Sequence, residues 1–247
     1  MILNEPPRTP YDLNFRALGI PVRVHPLFWL AAVVLGVRGN EEPQQLVLWV
    51  AAVFVSILVH ELGHALAARF YGWDPSITLH VFGGLASYQP TYRSPIKQIV
   101  ITLAGPGAGF LFAALIVGSI AAFGHRVQFG WQGWVLPINY DFASTKLEML
   151  VDDLLYVNIF WGLVNLLPVY PLDGGQISLE IFQLANPRDG LRQSLWLSVV
   201  VAAGVGVLAY VRLHELFLLL FFGYMAYTSY MTLQSYFGPG GGLGRFR

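Results

Sequence analysis

Long apolar runs separated by short polar connections occupy most of this chain. Six apolar segments stand out, at about Pro26–Val37, Leu46–Phe70, Ile96–Phe123, Leu154–Leu167, Leu195–Val211 and Leu216–Tyr236. A bilayer core takes roughly 20 apolar residues in helical form, so the first of these has to tilt or draw on its flanks. The fourth stops at Pro168 and Pro171, where a helix cannot continue. Two stretches carry a different rhythm. Leu18 to His25 alternates as a short strand does. Ile77 to Gln89 has strand-like ends around a Gly83-Gly84 turn. The expected fold is an all-α polytopic membrane protein with about six transmembrane helices and a small membrane-associated β-sheet or hairpin. No internal repeat is evident. Residues 1–237 read as one transmembrane domain, and the Gly-rich stretch 238–247 as a flexible tail.

Composition sharpens this picture. The chain has 247 residues, 55% hydrophobic and only 11% charged, against about a quarter charged in a soluble domain. Lys plus Arg equals Asp plus Glu, so no nucleic-acid footprint appears. Cysteine is absent, which excludes disulfides, thiolate ligands and a cysteine nucleophile. The first 24 residues lack the apolar centre of a cleaved leader, so the first span is expected to insert itself. With the N-terminus cytoplasmic, Arg8, Arg16, Arg23, Arg69, Arg93, Lys97, Arg188, Arg192, Arg245 and Arg247 fall inside, against Arg38, Arg126, Lys146 and Arg212 outside. Ten against four favours both termini in the cytoplasm.

The second apolar segment contains His60-Glu61-Leu62-Gly63-His64. On a helix, i and i+4 share a face, so two histidines at that spacing can hold one metal ion. Glu61 stands where it can act as general base on a water at that metal. The motif fixes few positions and matches by chance in many helices. In a segment this apolar, however, two imidazoles and a carboxylate cost several kcal/mol if unpaired, roughly, and call for a reason. The alternative is that they pair with neighbouring helices.

A second constellation closes the fourth segment: Asn165…Pro168…Pro171-Leu172-Asp173-Gly174-Gly175. Asp173 is the candidate third ligand, since hydrolytic zinc sites take three protein ligands and keep one position open. By the charge bias it arrives near the cytoplasmic end of its span, at a depth similar to the histidines. By itself it reads equally well as a helix N-cap after a proline turn. Asn165 is placed to donate to a developing oxyanion. The Ala104–Gly109 run in the third segment suits close helix packing, or the shaping of a substrate groove.

Together, His60-Glu61-Leu62-Gly63-His64, Gly105-Pro106 and the Asn165-to-Gly175 stretch resemble the site-2 protease family of intramembrane zinc metalloproteases. The resemblance implies His60, His64 and Asp173 as ligands of one zinc ion per chain, Glu61 as catalytic base and Asn165 near the oxyanion. It implies a membrane-embedded sheet from the Ile77 region that guides substrate. The expected activity is hydrolysis of peptide bonds in or near transmembrane segments of other proteins, in regulated intramembrane proteolysis. The expected setting is a prokaryotic cell membrane, with the bilayer and membrane-protein substrates as partners. The connections are too short for an inserted PDZ domain or a regulatory CBS pair, which suggests a compact member. A metal transporter and an inactive scaffold are the rival readings. Glu61 beside a ligand argues against the first, and the full set of catalytic groups against the second. His25, His80, His125 and His214 receive no assigned role and are expected to be structural or interfacial.

Overall fold

The computed structural model describes residues 5–37, 42–81, 83–90, 94–123, 128–129, 138–139 and 145–238. The expected tail beyond Gly238, the topological markers Arg38, Arg93, Arg126, Arg245 and Arg247, and His125 lie outside the described residues. The chain divides into two compact units, residues 1–91 with 104–162, and residues 92–103 with 163–247.

The first unit opens with strands β1 (Leu13–Ala17) and β2 (Ile20–Val24). Helices α1 (Pro26–Gly36) and α2 (Pro43–Phe70) follow. Strands β3 (Ser76–His80) and β4 (Gly83–Ser87) complete a four-stranded sheet in the order β1-β2-β3-β4. β1 and β2 form a hairpin whose turn residues Leu18 and Gly19 both have positive φ, 50° and 77°. Two left-handed residues give the tight turn whose twist matches antiparallel strands. The expected strand Leu18–His25 is therefore a turn followed by a strand. β2 and β3 run parallel, with Val22 beside Ile77. Parallel neighbours need a long crossover, and α1 and α2 supply it. β3 and β4 are antiparallel, with Ile77 beside Ala86. Gly83 and Gly84 open β4 and do not form the turn expected of them.

The sheet buries one face on the helices. Ile20, Val22, Val24, Ile77 and Leu79 pack with Phe28, Trp49, Val53 and Ala65. The Trp49 Nε1–H donates to the Ala32 carbonyl at 2.9 Å, tying α2 to α1. At the other end of α2, Arg69 donates to the Leu18 carbonyl at 2.8 Å and fixes the hairpin turn.

Helix α3 (Pro95–Ala122) carries Pro106 in its interior. Two-residue strands β5 (Gln128–Phe129) and β6 (Ile138–Asn139) pair antiparallel. Helix α4 (Thr145–Tyr156) runs into a π-helical turn at Val157–Trp161 and then into α5 (Gly162–Asn165). The expected span Leu154–Leu167 is thus one part of a longer, interrupted helical stretch. In the second unit, α6 (Asp173–Ala185), α7 (Gly190–Leu213) and α8 (Leu216–Phe237) surround Val169, Leu172, Ala202, Phe222 and Met225.

Among the described residues, four helices are long and apolar enough to cross a membrane: α2, α3, α7 and α8. α1 is apolar but only 11 residues long. The expected count of six is not reached on length alone. Many large apolar side chains on these helices face outward, Leu115, Val200 and Leu220 among them. Exposed apolar side chains on long apolar helices are what a bilayer covers, and the chain is an integral membrane protein.

Candidate metal centre

The site begins on α2. Ser56, His60 and His64 recur every fourth residue, one turn apart on one helix face, and all three are buried. The two Nε2 atoms of His60 and His64 stand 3.1 Å apart, with the rings edge to face. Two imidazole nitrogens this close, both buried in an apolar helix, converge on a common point.

The surrounding elements hold the rings there by close approach. Glycine at 105 lets α3 press on His64. A Cβ at that position would fall within contact distance of His64 Nε2, Cε1 and Cδ2. Glycine at 84 does the same for β4 and Glu61. A Cβ there would collide with the Glu61 Cγ, Cδ and Oε1. Both the second histidine and the carboxylate therefore have backbone laid directly against them. One turn before His60, Ser56 accepts a hydrogen bond from Asn158 Nδ2 at 2.8 Å. The same amide donates to the Leu154 carbonyl at 2.8 Å. Asn158 belongs to the π-helical turn and is 4% exposed. Its contact with Ser56 gives the interrupted helix a polar anchor beside the histidine-bearing face. π-turns recur at functional sites.

In the second unit, Asp173 occupies the first position of α6, after Leu172 at the cap. It is thus not the N-cap that its place after a proline turn suggests. Its carboxylate sits in the first turn, where the helix dipole favours a negative charge, and it is 8% exposed. One candidate ligand atom each from His60, His64 and Asp173 lies within 4.8 Å of the others. Two nitrogens and a carboxylate oxygen form a donor set that suits zinc, and a buried carboxylate suits a cation that offsets its charge. The group can hold one metal ion. Asn165 closes α5 and is half-buried.

Comparison with known proteins bears on this arrangement. The sequence pattern of peptidase family M50 matches residues 48–207, a stretch that contains His60, Glu61, His64 and Asp173. The chain belongs to peptidase family M50. Among similar proteins of this M50 chain is stage IV sporulation protein FB of Bacillus subtilis, 24% identical over 75% of this chain and 58% of its own length. Another is a zinc metalloprotease of Methanocaldococcus jannaschii, 29% identical over 66% of this chain and 43% of its own length. The chain spans about half the length of the curated relatives it matches. A solved site-2 protease from Methanocaldococcus jannaschii superposes with a TM-score of 0.58 at 21% identity, covering 90% of this chain and 95% of that one. That likeness shows the fold.

The sequence pattern singles out the motif residues but not the residues packed around them. Asn158 and Ser56 were each visible only as single polar residues in apolar runs. Gly84 read as a turn glycine, and its contact with Glu61 has no sequence signal. One of the unassigned histidines has a structural part: His25 caps α1 by accepting from the Leu27 N–H at 3.2 Å.

Proposed function

We propose that this chain is an intramembrane zinc metalloprotease that hydrolyses peptide bonds in or near transmembrane segments of other membrane proteins. The observation that carries this reading is the buried His60–His64–Asp173 donor group with Glu61 beside its first member on an apolar helix. Family membership and the name of the archaeal relative, a zinc metalloprotease, support zinc as the ion. His60, His64 and Asp173 would hold one zinc per chain, and zinc, when bound, supplies Lewis acidity toward a carbonyl.

The remaining chemistry belongs to the chain. Glu61, held by the β4 backbone at Gly84, takes a proton from the attacking water and delivers it to the leaving amine. Asn165 donates to the oxyanion that forms as water adds. A helical substrate hides its peptide bonds in hydrogen bonds, so a cleavable segment has to unwind, and helix-weakening residues near the scissile bond favour it. The setting is a prokaryotic cell membrane with both termini cytoplasmic. The charge distribution of the short loops supports that orientation. In that setting the substrates are transmembrane proteins cut in regulated intramembrane proteolysis.

The test separates ligand from base. Glu61→Gln keeps zinc at one per chain and loses cleavage by a factor of about 100 or more, whereas Asp173→Ala lowers bound zinc. Metal content by atomic spectroscopy, measured beside cleavage of a model transmembrane peptide, reads both. Full activity in Glu61→Gln removes Glu61 as base, and unchanged zinc in Asp173→Ala removes Asp173 from the ligand set.

A further inference from the structure

Two spans of the second unit carry serines that apolar packing does not call for. Ser194 and Ser198 lie on α7 and Ser229 on α8, and they are 1%, 0% and 0% exposed. Their hydroxyls need partners, and the partners lie together. The Tyr170 N–H donates to Ser198 Oγ at 3.1 Å. Ser229 Oγ donates to the Tyr170 carbonyl at 3.0 Å. One peptide residue is therefore gripped on both sides by two different helices. The proline-rich stretch explains why Tyr170 is available. Pro168 and Pro171 have no N–H and cannot sustain a helix or strand ladder. Between them, Val169 pairs with the Leu167 and Leu172 backbone, and the Tyr170 N–H and carbonyl turn to side chains.

The grip continues past Asp173. Ser198 Oγ donates to the Ser194 carbonyl at 3.0 Å, and Ser194 Oγ meets Ser178 Oγ at 3.0 Å. Ser178 Oγ donates to the Gly175 carbonyl at 2.9 Å. Glycines at 174 and 175 let the first turn of α6 lie on the preceding loop. A Cβ at Gly174 would meet the Leu166 and Leu167 carbonyls, and one at Gly175 the Val169 and Tyr170 backbone. Asp173 thus sits between two points, Tyr170 and Gly175, that hydroxyls of α6, α7 and α8 hold in place.

We propose that Ser198 and Ser229 are positioning residues for Asp173: they clamp the Tyr170 peptide and so fix where the Asp173 carboxylate is presented. The proposal rests on the reading of Asp173 as a metal ligand. Neither serine belongs to the His60–His64–Asp173 donor group. Their effect is transmitted through the loop backbone, in the way that groups behind a ligand set its orientation.

The test uses the detergent-purified full chain, freed of metal with a chelator. Zn(II) affinity is measured by competition with a chromogenic chelator, and the visible absorption of the Co(II)-loaded protein reports the ligand geometry. Ser198→Ala and Ser229→Ala are each expected to weaken Zn(II) binding roughly 10- to 100-fold and to alter the Co(II) spectrum. Thr228→Ala is the control. Thr228 is also buried on α8, but its hydroxyl donates only to the Met225 carbonyl of its own helix, and its removal leaves affinity and spectrum unchanged. Asp173→Asn keeps the two readings apart. If it binds Zn(II) like the parent chain, the ligand assignment fails whatever the serines do. If it loses Zn(II) while both serine variants keep parental affinity and spectrum, the positioning proposal is overturned. A lowered unfolding temperature shared by Ser229→Ala and Thr228→Ala, with an unchanged Co(II) spectrum, overturns it as well. Each serine holds one side of the Tyr170 peptide, so either variant that folds decides the matter.

Discussion

At position 105 the absence of one methyl group decides how close α3 comes to the His64 ring. An alanine there has no flexible neighbour to displace. The atoms it meets are the imidazole carbons and Nε2, and the ring can move only by leaving its place beside His60. Gly105→Ala is therefore expected to destabilise the fold by about 1–3 kcal/mol, as overpacking does, and to weaken zinc binding at the same time. Thermal unfolding with and without added Zn(II) checks this. A variant with lowered stability but parental zinc affinity would show that the ring adjusts. The same scale shows what is legible in the chain. His60, Glu61, His64 and Asp173 stand out because a hydrolytic metal site would require particular donors and a base at particular spacings, in surroundings where polar groups are costly. Asn158, Ser198 and Ser229 do not stand out. A lone hydroxyl or amide in an apolar helix has no spacing requirement, and its partner is fixed only by packing.

Among the elements, the long apolar helices α2, α3, α7 and α8 are nearly as the hydrophobic pattern has them, within a few residues at each end. α4 and α6 were missed for physical reasons. α4 carries Glu148, Asp152 and Asp153, so an apolar scan starts only at its last turn. The first turn of α6 holds Gly174-Gly175, residues that weaken a helix by propensity but here serve close packing. The sheet also has an unexpected fastening. Arg23 of β2 is 7% exposed and binds Asp12 and Glu5, each at 3.0 Å. Glu5 in turn accepts from Thr78 of β3 at 2.7 Å. The Thr9 hydroxyl and N–H, with Arg23, hold the Asp12 carboxyl down to about 2 from 3.8. Thr78 first, and then Arg23, lower Glu5. Depressed carboxylate values stabilise the folded strap above the unfolded values, and that contribution fades as pH falls through the folded ones. The N-terminal strap is therefore expected to stay fastened at and above about pH 4 and to loosen toward about pH 2. Hydrogen exchange of residues 5–12 across that range tests the expectation. Asp12→Asn should raise exchange at neutral pH and flatten the dependence, and an unchanged profile would remove Asp12 from the fastening.

For the molecule as a whole, long apolar helices, with one buried donor group among the described residues, follow from a sequence poor in charge and rich in long apolar runs. Its family was legible because three motifs follow one another in a specific order along the chain. The sheet topology was less so, since the parallel β2–β3 pairing joins strands separated by two helices, and nothing local announces it. The same architecture frames the central claim, that His60, His64, Asp173 and Glu61 together make this chain a zinc-dependent protease of membrane segments. The most direct measurement is cleavage of a model transmembrane substrate by the detergent-purified chain, with and without a zinc chelator, beside Glu61→Gln. The account predicts cutting that the chelator stops, that added zinc restores, and that Glu61→Gln lacks. Cutting that survives both the chelator and the substitution would contradict it.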